Sequence, residues 1–217
     1  MSKFSFSKDD LNTGDILLFH HTTDCHSCYA GCFSCITGLI ECCTHSEYSH
    51  AAIVIRDPQF TTPPRKGLFV LESSFESFPD AEDHKYKFGV ELEEFDKVIE
   101  SAKPHERIYW RKLKCKRDRN FYQLLKETHA EIHNKPYDFY PMDFINALFH
   151  KHGGDSGQLT SRFFCSALVA FIYVHWGFLP YSTEWSRVTP KMLSTENSGR
   201  YQLHFKNCRL GTEDRIA

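Results

Sequence analysis

A nucleophile, a base and a carboxylate can be picked out of this sequence by where they sit. Cys165 lies in the run Phe163–Trp176, which has apolar residues on every face and so predicts a helix buried all round. Ser161 is the expected N-cap, its hydroxyl accepting an orphan backbone N–H, and Gly177 with Pro180 beyond it is the expected stop. Cys165 then falls in the first turn, where backbone N–H groups and the positive end of the helix dipole lower a thiol pKa. A thiol so placed is a candidate nucleophile; a free cysteine in a core is otherwise commonly a small hydrophobe. His50 opens the apolar run Ala51–Ile55. A buried histidine is often only a satisfied polar group, but beside a thiol it can take the thiol proton. Glu72 ends a second apolar run, Leu68–Leu71. A carboxylate there needs a partner, and an imidazole N–H would serve.

The elements that must position these groups follow from pattern. Tyr48–Ile55 reads as a strand with both faces buried. A turn-rich loop, Asp57–Pro64, leads to a second strand over Gly67–Ser74. A hairpin would set the two side by side, with Glu72 near His50. Upstream, the turn Leu11–Asp15 precedes a compact apolar strand, Ile16–Phe19, with Asp15 expected to bond local backbone. Downstream, Phe88–Phe95 alternates as a strand and then turns, and Arg107–Leu113 reads as a strand whose charges suit an edge. A helix opens at Asn120, with Phe121, Leu124, Leu125, Thr128 and Ile132 at helical spacing, and stops before Lys135-Pro136-Tyr137-Asp138. Gly153–Gly157 reads as a lid loop ahead of the cysteine helix. Trp185–Leu193 reads as a turn and a short helix, and Tyr201–Phe205 as a last strand.

The 217 residues are 41 % hydrophobic and 15 % aromatic, which supports a core and argues against disorder. No linker or repeat divides them, so one domain over 1–217 is expected. A net charge of −2 with no basic block argues against a nucleic-acid partner. The N-terminus lacks the apolar segment of a secretory signal, and no stretch approaches the ~18 apolar residues of a spanning helix. Nine cysteines then point to free thiols in a reducing, cytoplasmic setting.

Cys25, Cys28, Cys32 and Cys35 form two CxxC pairs separated by three residues, too close for a zinc ribbon. With Leu39 and Cys42 they alternate by three and four, the spacing of one helical stripe. A cysteine-rich helical insertion at about 24–45 is therefore expected. It packs on the core, makes peripheral membrane contact through 25–43, or, least in keeping with its spacing, binds zinc as an interaction module.

Taken in order, the strand Ser49-His50-Ala51, the strand carrying Glu72 and the buried helix opening at Cys165 resemble the circularly permuted branch of the NlpC-type papain-like superfamily. That branch has bacterial, poxvirus and lecithin:retinol acyltransferase-like members. Thr13–Phe19, Tyr48–Ile55, Gly89-Val90 with Leu92 and Phe95, Lys135–Asp138, Phe164–Val169 and Val188–Pro190 resemble its successive blocks. The cysteine-rich stretch matches none of them. The resemblance implies an α+β papain-like fold: an antiparallel sheet or small barrel against a buried helix carrying the cysteine. It implies Cys165, His50 and Glu72 as catalytic residues and no cofactor or metal. Tyr48, Tyr137 and Ser166 become candidates for the oxyanion or substrate site. The implied activity is a thiol hydrolase, peptidase or acyltransferase working through a thioester, on a peptide, isopeptide or acyl-lipid substrate. A catalytically inactive binding module of the same fold is the alternative.

Overall fold

The computed structural model describes residues 6–21, 47–75, 78–103, 106–137, 163–196 and 202–217. Its strands are β1 (Ile16–His21), β2 (His50–Arg56), β3 (Leu68–Phe75), β4 (Phe88–Glu94), β5 (Glu106–Lys114) and β6 (Arg209–Arg215). Its helices are α1 (Phe95–Ala102), α2 (Arg119–Ile132) and α3 (Cys165–His175), with short 3-10 turns at Lys8–Asp10, Trp185–Arg187 and Pro190–Leu193. The strands form one antiparallel, six-stranded sheet in the order β4-β3-β2-β1-β5-β6. It is open, with β4 and β6 at its edges, and does not close into a barrel. The fold class is α+β.

Alternation along the strands sorts side chains onto two faces. Ile16, Leu18, Ala51, Ile53, Ile55, Phe69 and Leu71 face α3 and the packing residues Phe121, Leu125 and Ile132 of α2. Leu17, Phe19, Ala52, Val54 and Val70 face the other way, onto Phe95, Val98 and Ile99 of α1. Helices on both faces explain why β2 is buried along its whole interior, as its unbroken apolar run requires. Every residue of α3 from Cys165 to Val174 is buried. The helix ends as expected. Gly177 takes φ +71°, its N–H bonds Val174 O at 3.0 Å, and the N–H of Phe178 bonds Tyr173 O at 2.8 Å, a Schellman closure. Inside the core, Tyr173 Oη donates to Gly14 O at 2.6 Å, tying α3 to the turn before β1.

Asp15, in that turn, does more than bond local backbone. It accepts from Asn12 N at 3.0 Å, Trp110 Nε1 at 2.8 Å, Leu113 N at 2.9 Å and Arg117 at 3.1 Å. It thereby locks the turn to β5 from a fully buried position.

Several expectations are corrected. The last strand is Arg209–Arg215, not Tyr201–Phe205. Leu203 and Phe205 pack on the core without joining the ladder, while a polar segment pairs with β5. That pairing makes β5 interior rather than an edge. The turn after β4 is a helix, α1, whose buried Phe95, Val98 and Ile99 stand at helical spacing. The N-cap of α3 is Phe164 rather than Ser161. Ser161, the cysteine-rich stretch 24–45 and the loop 153–157 lie outside the described residues. No helix among the described residues is long and apolar enough to cross a membrane.

Gly89 admits the segment that reaches the start of α3. Val90 N bonds Lys135 O at 2.8 Å, and Gly89 and Pro136 form an isolated bridge, as do Tyr137 and Phe163. Gly89 sits at φ +151°, and a Cβ there would lie 2.1 Å from the backbone oxygen of Lys135. Gly89→Ala should therefore destabilise the protein by about 3 kcal/mol, as a forced overpacking does, with a matching fall in the urea midpoint. An unchanged midpoint would show that residues 135–137 do not pack there.

Candidate active site

Three elements converge where β2 begins. His50 is the first residue of β2, opposite Phe19 of β1, and its ring packs edge-on against the Phe19 ring at 5.1 Å. Ile53 pairs with Leu71, so Glu72 and His50 stand diagonally on adjacent strands and share a face, within reach of a long side chain. His50 Nε2 is hydrogen-bonded to Glu72 Oε2. Ser73, the next residue, points to the opposite face and donates its hydroxyl to Phe163 O at 2.8 Å. That bond fixes the chain two residues ahead of α3. Cys165 is the first residue of α3, and its sulfur lies close enough to the His50 ring for the two charges to act on each other. One ring thus links groups far apart in the sequence, with the thiol and the carboxylate buried and the imidazole 20 % exposed.

The electrostatics favour an ion pair. Burial opposes the thiolate of Cys165. The His50 imidazolium and the backbone N–H groups of Ala51 and Ser166 outweigh it and hold the thiol below its ordinary value. Burial likewise opposes the imidazolium, but Cys165 and Glu72 together hold His50 well above the usual histidine range. The other two free thiols among the described residues behave oppositely. Burial raises Cys115, and it pushes Cys208 up to about 12.

Behind Glu72 stands Glu93 of β4, also buried. Burial, and next the Glu72 charge, push its carboxyl up to about 8. It is therefore protonated at neutral pH and can donate to Glu72. Its Oε1 accepts from Phe78 N at 3.2 Å. Sequence reasoning missed Glu93. The sequence hid it: Glu91 and Glu93 alternate with Val90 and Leu92, which reads as a strand with one wet face.

The remaining sequence candidates are placed differently. Ser166 Oγ donates to Val188 O at 2.7 Å, which commits its hydroxyl to anchoring the Trp185–Arg187 turn. The ring of Tyr48 is buried edge-on against Tyr109 at 5.7 Å. Burial, with Glu213 and Glu196, raises its phenol and keeps it protonated. Tyr137 is buried, with its ring edge-on to Phe164 at 6.0 Å, one residue ahead of Cys165. A separate group, Glu82, His129 and His133, is the arrangement among the described residues that could ligate a metal.

Among known proteins, no family model matches the chain, and no curated protein matches it. Among solved structures it is similar to metalloprotein yiiX of Escherichia coli O157:H7 (DUF1105), with a TM-score of 0.46 and 19 % identity over 76 % of this chain. The match spans 66 % of the length of that structure.

Two measurements follow from the charges. Alkylation of Cys165 should slow less from pH 8 to pH 6 than that of an ordinary thiol, which slows roughly 100-fold over the same interval. An ordinary slowing at Cys165 would refute the ion pair. The second concerns Glu93. Unfolded, its carboxyl titrates near 4.5; folded, near 8. Between these the folded form holds more protons, so this group's contribution to stability falls as pH rises. Glu93→Gln should remove that fall, gaining on the wild type in urea unfolding from pH 5 to pH 8. A stability difference independent of pH would contradict a protonated Glu93.

Proposed function

We propose that this protein is a cysteine-dependent acyl-transfer enzyme of the permuted NlpC-type, papain-like kind. It would cleave an amide or ester of a peptide, isopeptide or acyl lipid through a thioester. The observation that carries this reading is the series Cys165–His50–Glu72: a ring bonded to a buried carboxylate on one side and coupled on the other to a sulfur at a helix N-terminus.

The steps follow from the groups present. The Cys165 thiolate attacks the substrate carbonyl carbon, and the carbonyl electrons move onto oxygen. The backbone N–H of Cys165, which has no acceptor within its own helix, is placed to hold that oxyanion. The oxyanion collapses, the C–N or C–O bond breaks, and the His50 imidazolium gives its proton to the leaving group. Neutral His50 then takes a proton from water or from an acceptor hydroxyl or amine, which attacks the thioester. Collapse of the second oxyanion expels the thiolate and restores the ion pair. Throughout, Glu72 holds Nε2, so the other ring nitrogen stays directed to the sulfur. Water as acceptor makes a hydrolase; a lipid or amine makes an acyltransferase. A reducing, cytoplasmic setting suits a free thiolate of this kind.

Activity-based labelling with peptidyl and acyl electrophiles, followed by mapping of the modified residue, tests the proposal. Cys165 should be labelled far faster than the other cysteines, and Cys165→Ala should abolish turnover of any matching substrate. His50→Ala should lower kcat by about 10²–10⁴-fold. Full turnover in Cys165→Ala would overturn the proposal.

A further inference from the structure

A second cluster joins the end of α2 to the turn before β4. His129 and His133 stand one turn apart on α2 and just beyond its end, so they share a face. His129 Nε2 lies 2.8 Å from Glu82 Oε2, and His133 Nδ1 lies 3.2 Å from the same oxygen. All three donor atoms fall within 4.8 Å of one another. None of the three takes part in the Cys165–His50–Glu72 series.

Each donor is held by its own support. His129 is buried, and its ring stacks on Phe60 at 4.0 Å with 27° between planes, which prevents it from swinging out. Glu82 sits on a turn built around the fully buried Asp80. Asp80 Oδ1 accepts from Glu82 N at 2.6 Å, and Oδ2 accepts from Leu92 N at 3.0 Å and pairs with Lys87 Nζ at 3.0 Å. Ala81 N bonds Leu92 O at 2.6 Å, fastening the turn to β4. His133 is the accessible member, with 32 % of its side chain exposed. Two fixed donors and one open side are what an ion and a completing water need.

The geometry points to a divalent-metal site of the zinc class at Glu82, His129 and His133. Tetrahedral ligands about 2.0–2.1 Å from zinc are roughly 3.3 Å apart, so the separations of 2.8 and 3.2 Å need to open by only a few tenths of an ångström. Two imidazoles and one carboxylate suit zinc, cobalt or nickel, whereas calcium and magnesium favour oxygen ligands. An ion here would clamp the end of α2 to the turn before β4. The chain leaving α2 after Ile132 leads directly to Tyr137, which bridges to Phe163 beside the cysteine helix. The ion's role is therefore structural support of that strap.

The test uses the full chain, stripped with a chelator, kept reduced and titrated with Co²⁺ and then Zn²⁺, beside His133→Gln and Glu82→Gln. Any ion held by thiols is common to all three proteins and cancels in the comparison. The wild type should bind one more equivalent than either variant. That equivalent should show visible cobalt bands without a thiolate charge-transfer band. The variants should lose at least about 100-fold in affinity for it, and zinc should raise the wild-type Tm more than theirs. His133 is partly exposed, so its substitution leaves the core intact, and Glu82→Gln keeps the hydrogen bonds to the turn. Equal stoichiometry and equal Tm shifts in wild type and both variants would overturn the assignment, leaving a hydrogen-bonded carboxylate and nothing more.

Discussion

One imidazole between two anions sets the terms for the rest of this molecule. His50 has Glu72 on Nε2 and the sulfur of Cys165 within hydrogen-bonding reach, in a setting where burial disfavours every charge involved. Charges this far from water persist only when each has a partner. The thiolate has the imidazolium and two backbone N–H groups. The imidazolium has the thiolate and Glu72. Glu72 has His50 and, behind it, a carboxyl that burial keeps protonated. Remove any member and a neighbour is left buried with charge uncompensated.

The fold supplies this arrangement with rigid parts. Adjacent antiparallel strands fix the diagonal between His50 and Glu72. The alternation of β3 sends Glu72 to one face and Ser73 to the other, so one strand orients the base and pins the backbone ahead of the nucleophile. The cysteine helix cannot rotate away, because its whole surface is packed and Tyr173 is bonded into the turn before β1. Gly89 leaves room for residues 135–137 to reach the other side of Phe163. Helix, hairpin and strap thus meet at the sulfur from three directions.

Much of this was legible in the residues because the decisive signals are local. Unbroken apolar runs marked β1, β2 and α3, and a polar side chain at the boundary of each of β2 and α3 marked His50 and Cys165. Glu72 stood out as a carboxylate within a run that otherwise wants to be dry. What stayed hidden depends on contacts distant in sequence. Arg209–Arg215 has no apolar alternation and becomes a strand only because β5 offers it a ladder. That same pairing is why the charged β5 is interior. Phe95–Ala102 is short enough to read as a turn until its apolar side meets the second core. Glu93 acquires meaning only through Glu72 on the neighbouring strand. The Glu82 cluster joins a turn to a helix 47 residues later, and the two histidines one helical turn apart were its sole trace in the sequence. Phe164 starts α3 with no side-chain cap, so a search for a capping hydroxyl points to the wrong residue.

The most direct measurement of the central claim is an NMR titration of the assigned His50 ring resonances, in the wild type and in Cys165→Ser. The ion pair predicts an imidazolium that survives well above pH 6.5 in the wild type and titrates at lower pH once the thiolate is gone. A His50 that titrates near its ordinary value in both proteins would contradict it.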